Sequence, residues 1–502
     1  MKKNNLLFLL LLTINLATIV SCKEEDPVIK IEKDTQNVKV YDTIYISEVD
    51  SHNIKVYDTS FVTVYDTIYI SPDDEISKKM FSHQLYRFMK SKNDNYQLYE
   101  AIIMDKNPNL DSLKIAIETF SDVNIILNLE NCTELEQIKH FLSKENYNIK
   151  SIKLPNSLKT IGAYSFSNWY GLTEVDIPDG VTTIENGAFS MNMKSNWVNN
   201  LVRYEHISNL SSINIPKSVS SIGDNAFYGT SIKNINIPDN VTTIGNGAFA
   251  YTKINSITIP KSVTSMSLYF SGCENLKTVV HSLKECTGLE FRNCVSLESI
   301  ILPDGVTTIP REAFYNCKSL PKLDLPESVE TIGDSAFVNC EKLTTFLITK
   351  NVNQIYGDAF VGCKSIKLVI DKNNSNYMSE DNILFNFDKT TLISFCNRTI
   401  KEYIVPEGVT TIAHGAFIGL DNLYSITLPE SLSTIDYCGF SGDNNLSTMT
   451  FKSTTPPDGL YGISDYNYYG GRIPIKQINV PTAAVDTYKN IFYYSNIIVV
   501  GY

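Results

Sequence analysis

The chain has 502 residues, 43% of them hydrophobic, and carries a formal net charge of −12 at pH 7. This length is enough for two or three ordinary domains or for one long repeat array, and the hydrophobic share argues against wholesale disorder. The acidic balance argues against a nucleic-acid-binding protein, which needs a concentrated basic surface.

Residues 1–21 have the pattern of a signal peptide. A basic start precedes the apolar run Leu6–Leu12, which is too short to span a membrane. The next landmark, Ile19–Cys22, resembles a bacterial lipobox, in which Cys22 becomes the lipidated first residue of the mature protein. An ordinary signal peptide with an incidental cysteine is the alternative. Lys23–Asp26 resembles the export tag of surface lipoproteins in Bacteroides-like bacteria, which implies an outer-membrane, cell-surface location.

Residues 22–71 contain a short internal repeat. The sequence VYDTIYIS occurs at Val40–Ser47 and again at Val64–Ser71, and VYDTS lies between them at Val56–Ser60. The alternation of Val, Tyr and Ile predicts extended strand. We interpret the segment as a stalk. Thr43 and Thr67 resemble O-glycosylation sites of such bacteria, and the alternative is that both are simply strand residues.

Residues 72–125 are predicted to be helical and to cap the domain that follows. Apolar residues share one helical face over Met80–Met89. Leu98–Ile103 suggests a second helix and Leu110–Phe120 a third. No motif with chemical function lies in this segment.

Residues 126–455 form a sequence repeat whose marker is a phenylalanine, spaced mostly 21 to 23 residues apart. Around it lies the pattern L-x-x-I-x-I/L-P-x-x-V-x-x-I-G-x-x-A-F-x-x-C, as in Leu320–Cys340. This period and leucine skeleton predict a leucine-rich-repeat solenoid of the α/β type, a right-handed coil with short parallel strands. The marker residues are Phe166, Phe189, Phe227, Phe249, Phe270, Phe291, Phe314, Phe337, Phe360, Phe417 and Phe440.

The repeat positions have physical roles. Leu-x-x-Ile-x-Ile makes a short strand, and the following proline ends it because proline cannot donate to the ladder. The small Gly-x-x-Ala lets the return segment approach closely, and the phenylalanine fills the far side of the coil. One coil cannot bury its own apolar face, so equivalent side chains must stack from coil to coil.

Five cysteines lie three residues after the marker phenylalanine, and we predict small buried residues with free thiols there. A disulfide between neighbouring coils stays possible on distance alone, although parallel side chains suit stacking better. A metal site is not expected, because neither a Cys-x-x-Cys pair nor a histidine cluster accompanies them. The five are Cys273, Cys294, Cys317, Cys340 and Cys363.

The repeats, including LPDGVTTIPREAFYNC at Leu302–Cys317, resemble the BspA-like class of bacterial leucine-rich repeats. The resemblance extends to a hairpin insertion at about 371–398, carried by Asn376–Phe395, and to a closing segment within 456–502. Members of this family are mostly cell-surface or secreted adhesion and interaction proteins. The resemblance implies no catalytic residues and no cofactor, and the sequence contains no nucleophile elbow or phosphate loop.

Two insertions supply the best candidates for ligand binding. The outward strand positions are mostly Ser, Thr and Asn, which seldom anchor a partner. An insertion at about 190–208 contains Trp197 and Tyr204, and a second at Tyr461–Gly471 contains three more aromatic residues. Exposed aromatic rings can stack on sugars or anchor a protein, and the alternative is that they fold onto the core. The three are Tyr466, Tyr468 and Tyr469.

The sequence therefore predicts a lipid-anchored surface protein that binds rather than catalyses. Its expected partner is a protein or glycan of a host or neighbouring cell, and not a nucleic acid. We expect the inserted loops to carry more of the affinity than the strand face. The alternatives are a glycan-binding component of an uptake system and a structural or antigenic coat protein without a specific ligand.

Cys22→Ala is expected to release the protein from the membrane or to block its processing, because the lipid chains supply the anchoring free energy. Partition of the variant and the parent between detergent and aqueous phases measures this. Equal partition into the detergent phase would contradict the lipobox interpretation.

Overall fold

The computed structural model describes residues 106–107, 110, 124–139, 145–192, 208–436, 439–440, 445–460, 475–493 and 495–502, and the backbone of the strands at 43–44, 66–70, 99–103, 194–198 and 201–205. The chain divides into two compact units. The first unit comprises residues 1–181 and 208–213, and the second comprises residues 182–207 and 214–502.

The first unit is a stack of short parallel strands. They pair in the order β1-β2-β3-β4-β6-β8, and β5 pairs with β7 in a second short ladder. The strands are β1 (Thr43–Ile44), β2 (Asp66–Ile70), β3 (Tyr99–Ile103), β4 (Ile125–Asn128), β5 (Gln137–Ile138), β6 (Ile149–Lys153), β7 (Thr160–Ile161) and β8 (Glu174–Asp176).

The second unit repeats the same design over many coils. Its strands are β9 (Thr183–Ile184), β10 (Lys194–Val198), β11 (Leu201–Glu205), β12 (Ser212–Asn214, which begins in the first unit), β13 (Ser221–Ile222), β14 (Thr243–Ile244), β15 (Ser256–Thr258), β16 (Ser265–Tyr269), β17 (Thr278–Val280), β18 (Glu285–Glu290), β19 (Ser299–Ile300), β20 (Thr308–Ile309), β21 (Thr331–Ile332), β22 (Thr345–Ile348), β23 (Gln354–Ile355), β24 (Lys367–Ile370), β25 (Tyr377–Glu380), β26 (Ile383–Asn386), β27 (Thr391–Phe395), β28 (Glu402–Ile404), β29 (Thr411–Ile412), β30 (Ser425–Leu428), β31 (Thr434–Ile435), β32 (Thr448–Phe451), β33 (Gln477–Val480) and β34 (Ile498–Gly501).

Helix is scarce in the part of the chain that the structure describes. One α-helix, α1 (Val485–Ile491), and two 3₁₀ turns at Gly357–Phe360 and Thr482–Ala484 are present there. The repeat solenoid predicted from the sequence is confirmed. Its return segments are turns, because their amides bond to the next coil instead of closing a helix: the Phe314 amide donates to the Ala336 carbonyl at 2.8 Å.

The predicted second helix at Leu98–Ile103 is wrong over Tyr99–Ile103, which forms β3. This strand pairs in parallel with β2 on one side and β4 on the other. Ladder bonds on both edges, together with the β-branched Ile102 and Ile103, favour strand over helix. The third predicted helix lies outside the described residues except for Leu110, and the first lies wholly outside them.

The extended conformation predicted for the VYDTIYIS repeats is confirmed for β1 and β2. Thr43 pairs with Thr67 in a parallel register, and β2 pairs with β3. β1 and β2, within the segment predicted to be a stalk, are therefore strands of the first unit's sheet. The remaining residues of 22–71 lie outside the described part.

The phenylalanine ladder runs through the core of the second unit. Phe291, Phe314, Phe337 and Phe360 stack with successive ring centroids 5.5, 5.4 and 5.7 Å apart and nearly parallel planes. All four rings are fully buried. The ladder confirms that the repeated phenylalanines stack on one another from coil to coil.

Close packing of the return segments explains the repeated glycine. A Cβ added at Gly245 would lie 2.3 Å from the Asp224 amide nitrogen, and one at Gly223 would lie 2.5 Å from the Asn186 nitrogen. Neither distance is possible between real atoms. The glycine therefore sets how closely one coil can approach the previous one.

The expected hairpin insertion is present as β25, β26 and β27, which pair antiparallel. The side chain of Asn382, in the turn between β25 and β26, makes hydrogen bonds to backbone groups of the neighbouring chain segments. The Asn382 side chain accepts from the Leu368 amide at 2.8 Å and donates to the carbonyls of Ile366 at 2.6 Å and Cys396 at 3.2 Å. The backbone groups next to the insertion are thus hydrogen-bonded by Asn382.

Phe337→Ala should lower the free energy of unfolding by about 3–5 kcal/mol, the usual cost of removing a fully buried aromatic ring. The loss should begin locally, because solenoid coils contact only their neighbours. Urea denaturation measures it. The control is Phe387→Ala, whose side chain is 62% exposed and which should change stability by no more than about 0.5 kcal/mol. Equal free energies of unfolding of the two variants would contradict the burial of Phe337 in the core.

Candidate binding surface

The strands of the second unit present every second residue to solvent. In β22 the residues alternate between exposed and buried, with Thr345 and Leu347 outward and Phe346 and Ile348 inward. The same alternation holds in β15, where Ser256 and Thr258 are outward and Ile257 is buried. The outward and inward positions predicted from the sequence are therefore confirmed.

Exposed aliphatic side chains lie along this outward face. The strand pattern in the sequence places Ile301 and Leu347 outward, but it does not include Val280 and Val369. Val280 is 55% exposed, Ile301 76%, Leu347 41% and Val369 37%. We call these four residues the aliphatic row. Leu347 and Val369 are direct register partners, and Val280 and Ile301 follow the paired residues Val279 and Ile300. The row makes the face less polar than its many Ser and Thr residues suggest.

Half of the row lies outside the strand pattern because two of its coils depart from the repeat. The coil at β17 has no proline after its strand, and the coil at β24 leads into the inserted hairpin. Neither coil matches the repeat pattern, so the pattern does not identify Val280 and Val369 as outward residues. Ordering the residues by register with β15 and β22 would have found them.

A cleft opens beside the start of the row. Thr258 pairs with Val280, yet four residues separate Thr258 from the buried Val263 and only two separate Val280 from the buried Leu283. The shorter loop leaves a cleft of about 550 Å³. Its lining includes Asp239, Lys261, Ser262, Val280, His281 and Ser282.

His281 closes the wall of this cleft. Its Nδ1 accepts from the Leu283 amide at 3.2 Å, and its Nε2 lies 2.6 Å from the Ile301 carbonyl oxygen. Both contacts are satisfied at once by the neutral ring with the proton on Nε2. Burial lowers the pKa of His281, against a smaller raising effect of the Ile301 carbonyl. The ring is therefore a structural replacement for the missing loop residues.

The ladder cysteines are free, buried thiols. The Cys317 thiol donates to the Phe291 carbonyl of the previous coil at 3.1 Å, and the other four do the same with theirs. Burial raises the pKa of Cys273 to about 11. Thiols that stay protonated are poor nucleophiles and poor metal ligands, so this row is part of the core.

The described residues contain no group of three or more His, Cys, Asp or Glu side chains placed to hold a metal ion. Within the same residues no helix is long and apolar enough to cross a membrane.

The structure places the predicted aromatic candidates only in part. Trp197 lies in β10 and Tyr204 in β11, an antiparallel hairpin in which they pair with Val202 and Ser195. The insertion with Tyr466, Tyr468 and Tyr469 lies outside the described residues, as does Cys22. Binding by these aromatic residues stays a prediction, as does glycosylation at Thr43 and Thr67.

Short parallel strands, buried ladders and coils of 21 to 23 residues define a leucine-rich-repeat protein. The chain belongs to the family described as the BspA type leucine rich repeat region, whose model matches residues 107–202, 201–287, 288–392 and 389–500. No curated protein matches the sequence significantly.

Several solved structures are similar to this chain. A leucine rich cell surface protein from Faecalibacterium prausnitzii is 22% identical over 66% of this chain and 87% of its own, with a TM-score of 0.43. A leucine-rich repeat protein from Bacteroides ovatus is 17% identical over 93% of this chain and 100% of its own, with a TM-score of 0.37. The pneumococcal vaccine antigen PcpA is 14% identical over 75% of this chain and 91% of its own, with a TM-score of 0.27.

Acidification should loosen the coil at His281. Protonation puts a hydrogen on Nδ1, which then cannot accept from the Leu283 amide. Since the folded-state pKa is lowered from 6.5, the neutral ring contributes stability that is present above about pH 6.5 and lost as the pH falls through the folded pKa. Hydrogen exchange of the Leu283 amide at pH 7 and pH 4.5, corrected for intrinsic rates, measures this.

The control is His281→Asn, whose amide oxygen can still accept from Leu283 but does not titrate. Its Leu283 protection should vary less with pH than that of the parent. Equal pH dependence in the two proteins would show that His281 does not control the coil.

Proposed function

We propose that this protein is a non-catalytic binding protein of the cell surface, which holds a protein or glycan of a host or neighbouring cell. The observation that carries the proposal is the aliphatic row beside the cleft at His281. Membership of a repeat family that is not usually catalytic supports it. The lipobox-like segment ending at Cys22 supports attachment to the outer membrane.

The aliphatic row exposes apolar side chains to water, and this exposure does not stabilise an isolated monomer. Single exposed aliphatic residues are ordinary, but several on one regular face indicate a contact surface. Burying exposed apolar area contributes roughly 25 cal/mol per Å². Strands about 4.8 Å apart present the row as two neighbouring pairs, Val280 with Ile301 and Leu347 with Val369, and the coil of Lys322 and Asp324 lies between the pairs. This arrangement suits an extended partner.

Polar groups next to the row can fix the orientation of a partner. Asp239 and Lys261 line the cleft with opposite charges, and Ser262 and Ser282 add hydroxyl groups. Lys322 and Asp324 form an exposed ion pair of 2.9 Å on the same outward face. Pairs this exposed contribute little to stability, so they are available for exchange with groups of a partner.

The test is a binding screen against immobilised matrix proteins and glycans, followed by variants. Ile301→Ser with Leu347→Ser should weaken binding at least tenfold, because a partner loses two apolar contacts. The control, Phe387→Ser, changes a side chain that is 62% exposed next to β26 of the inserted hairpin, and this variant should bind like the parent. Circular dichroism confirms that each variant folds.

A third variant, Trp197→Ala with Tyr204→Ala, tests the inserted hairpin separately. Loss of binding in this variant alone would move the site from the strand face to the hairpin. A parent that binds nothing in the screen would favour the structural coat protein. Reproducible turnover of a glycan would contradict a non-catalytic role.

A further inference from the structure

The outer strand of the last sheet has one edge without a backbone partner in the described residues. β34 is paired with β33 on one side only and ends the order β28-β30-β32-β33-β34. The Ile498 amide donates to the Lys476 carbonyl at 2.9 Å, and the Tyr502 amide donates to Val480 at 3.0 Å. In this parallel ladder the backbone amides and carbonyls of the even-numbered residues of β34 therefore point toward β33.

The odd-numbered residues of this strand direct their amides and carbonyls away from β33. No backbone bond of the Val499 or Gly501 amide occurs within the described residues, and the Ile497 amide has only a contact of 3.4 Å to the Ser495 hydroxyl. We call Ile497–Gly501 the open edge. Its unpaired groups are arranged as a template for one more strand.

The open edge lacks the protection that natural sheets usually have. Edge strands are commonly guarded by charged residues, proline or a bulge. Residues 490–502 contain no charged side chain and no proline, and β34 (Ile498–Gly501) pairs with β33 without a register shift. Ile498 is 63% exposed and Val500 39%, so apolar side chains lie beside the unpaired backbone.

The open edge is complementary to itself. A two-fold axis at Val499 sets Val499 opposite its own copy and Ile497 opposite Gly501 of the copy, so all three outward residues exchange hydrogen bonds. The same register sets Ile498 opposite Val500 of the copy, an apolar pair on the exposed face. A two-fold axis brings a charged side chain near the axis close to its own copy, and residues 490–502 contain no charged side chain.

We propose that a second copy of this chain pairs antiparallel through the open edge and forms a two-fold dimer with a continuous sheet. Five residues per copy bury less area than a standard interface of roughly 1,600 Å². The dimer is therefore weak and depends on concentration, which suits molecules held at high density on a surface. The proposal is independent of the aliphatic row and of its ligand.

Sedimentation of the full chain in detergent solution over a range of concentrations tests the proposal. The parent should dimerise, and Ile498→Lys with Val500→Lys should need at least a tenfold higher concentration, because the two-fold axis brings like charges together. The matched control, Ile404→Lys with Phe387→Lys, adds the same charge at exposed sites away from the edge. It should dimerise like the parent.

Disulfide trapping tests the register. The Ile498→Cys variant mixed with the Val500→Cys variant should form cross-linked heterodimers, because directly opposite Cα atoms lie about 4.5–5.5 Å apart. Either variant alone should cross-link at least fivefold less, since its cysteines are two positions out of register. Both variants also carry Cys286→Ser, because Cys286 is a free and only half-buried thiol, whereas the ladder thiols are buried.

Two results would overturn the proposal. The first is a parent that stays monomeric at every concentration. The second is a dimer that the lysine pair at the edge weakens no more than the control pair does. Equal trapping of homodimers and heterodimers would overturn the register at Val499.

Discussion

The structure depends on one constraint, which is that a single coil cannot bury its own apolar face. Each stacked phenylalanine ring is covered on its two faces by the rings of the neighbouring coils, as Phe337 is by Phe314 and Phe360, and Phe346 packs against it edge-on. The repeat length, the close approach at Gly245 and the thiol bonds of the cysteines all preserve this stacking. The long insertion at the hairpin of β25, β26 and β27 lies where the chain leaves the stack.

The same constraint explains where new surfaces arise. Residues that face outward are free of the ladder, so Ile301 and Leu347 can be aliphatic at no cost to the core. The loop at His281 is two residues shorter than that after Thr258, and the imidazole keeps the coil closed with two backbone contacts. Insertions occur at loops, and Asn382 restores the bonds that its hairpin would break.

The proposed ligand surface and the proposed dimer edge use different parts of the strands. A ligand on the aliphatic row contacts side chains that point out of the sheet, whereas a second copy at the open edge takes backbone groups that lie in its plane. The ligand and the second copy therefore use different groups of the protein. Pairing of copies would place two ligand surfaces in one assembly, which raises avidity for a partner with repeated sites without any new contact to it.

The sequence by itself determined the repeat, the family, the stacked phenylalanines, the free ladder thiols and which strand positions face outward, because these follow from a period that stacking imposes. Only the tertiary structure decided the strand at Tyr99–Ile103, the turns in place of helices, the aliphatic row and the open edge at Val499. Each of these depends on a neighbouring coil. A strand gains its ladder bonds from adjacent strands, and the exposure of Val280 is set by coils that depart from the repeat, so no local pattern could reveal them.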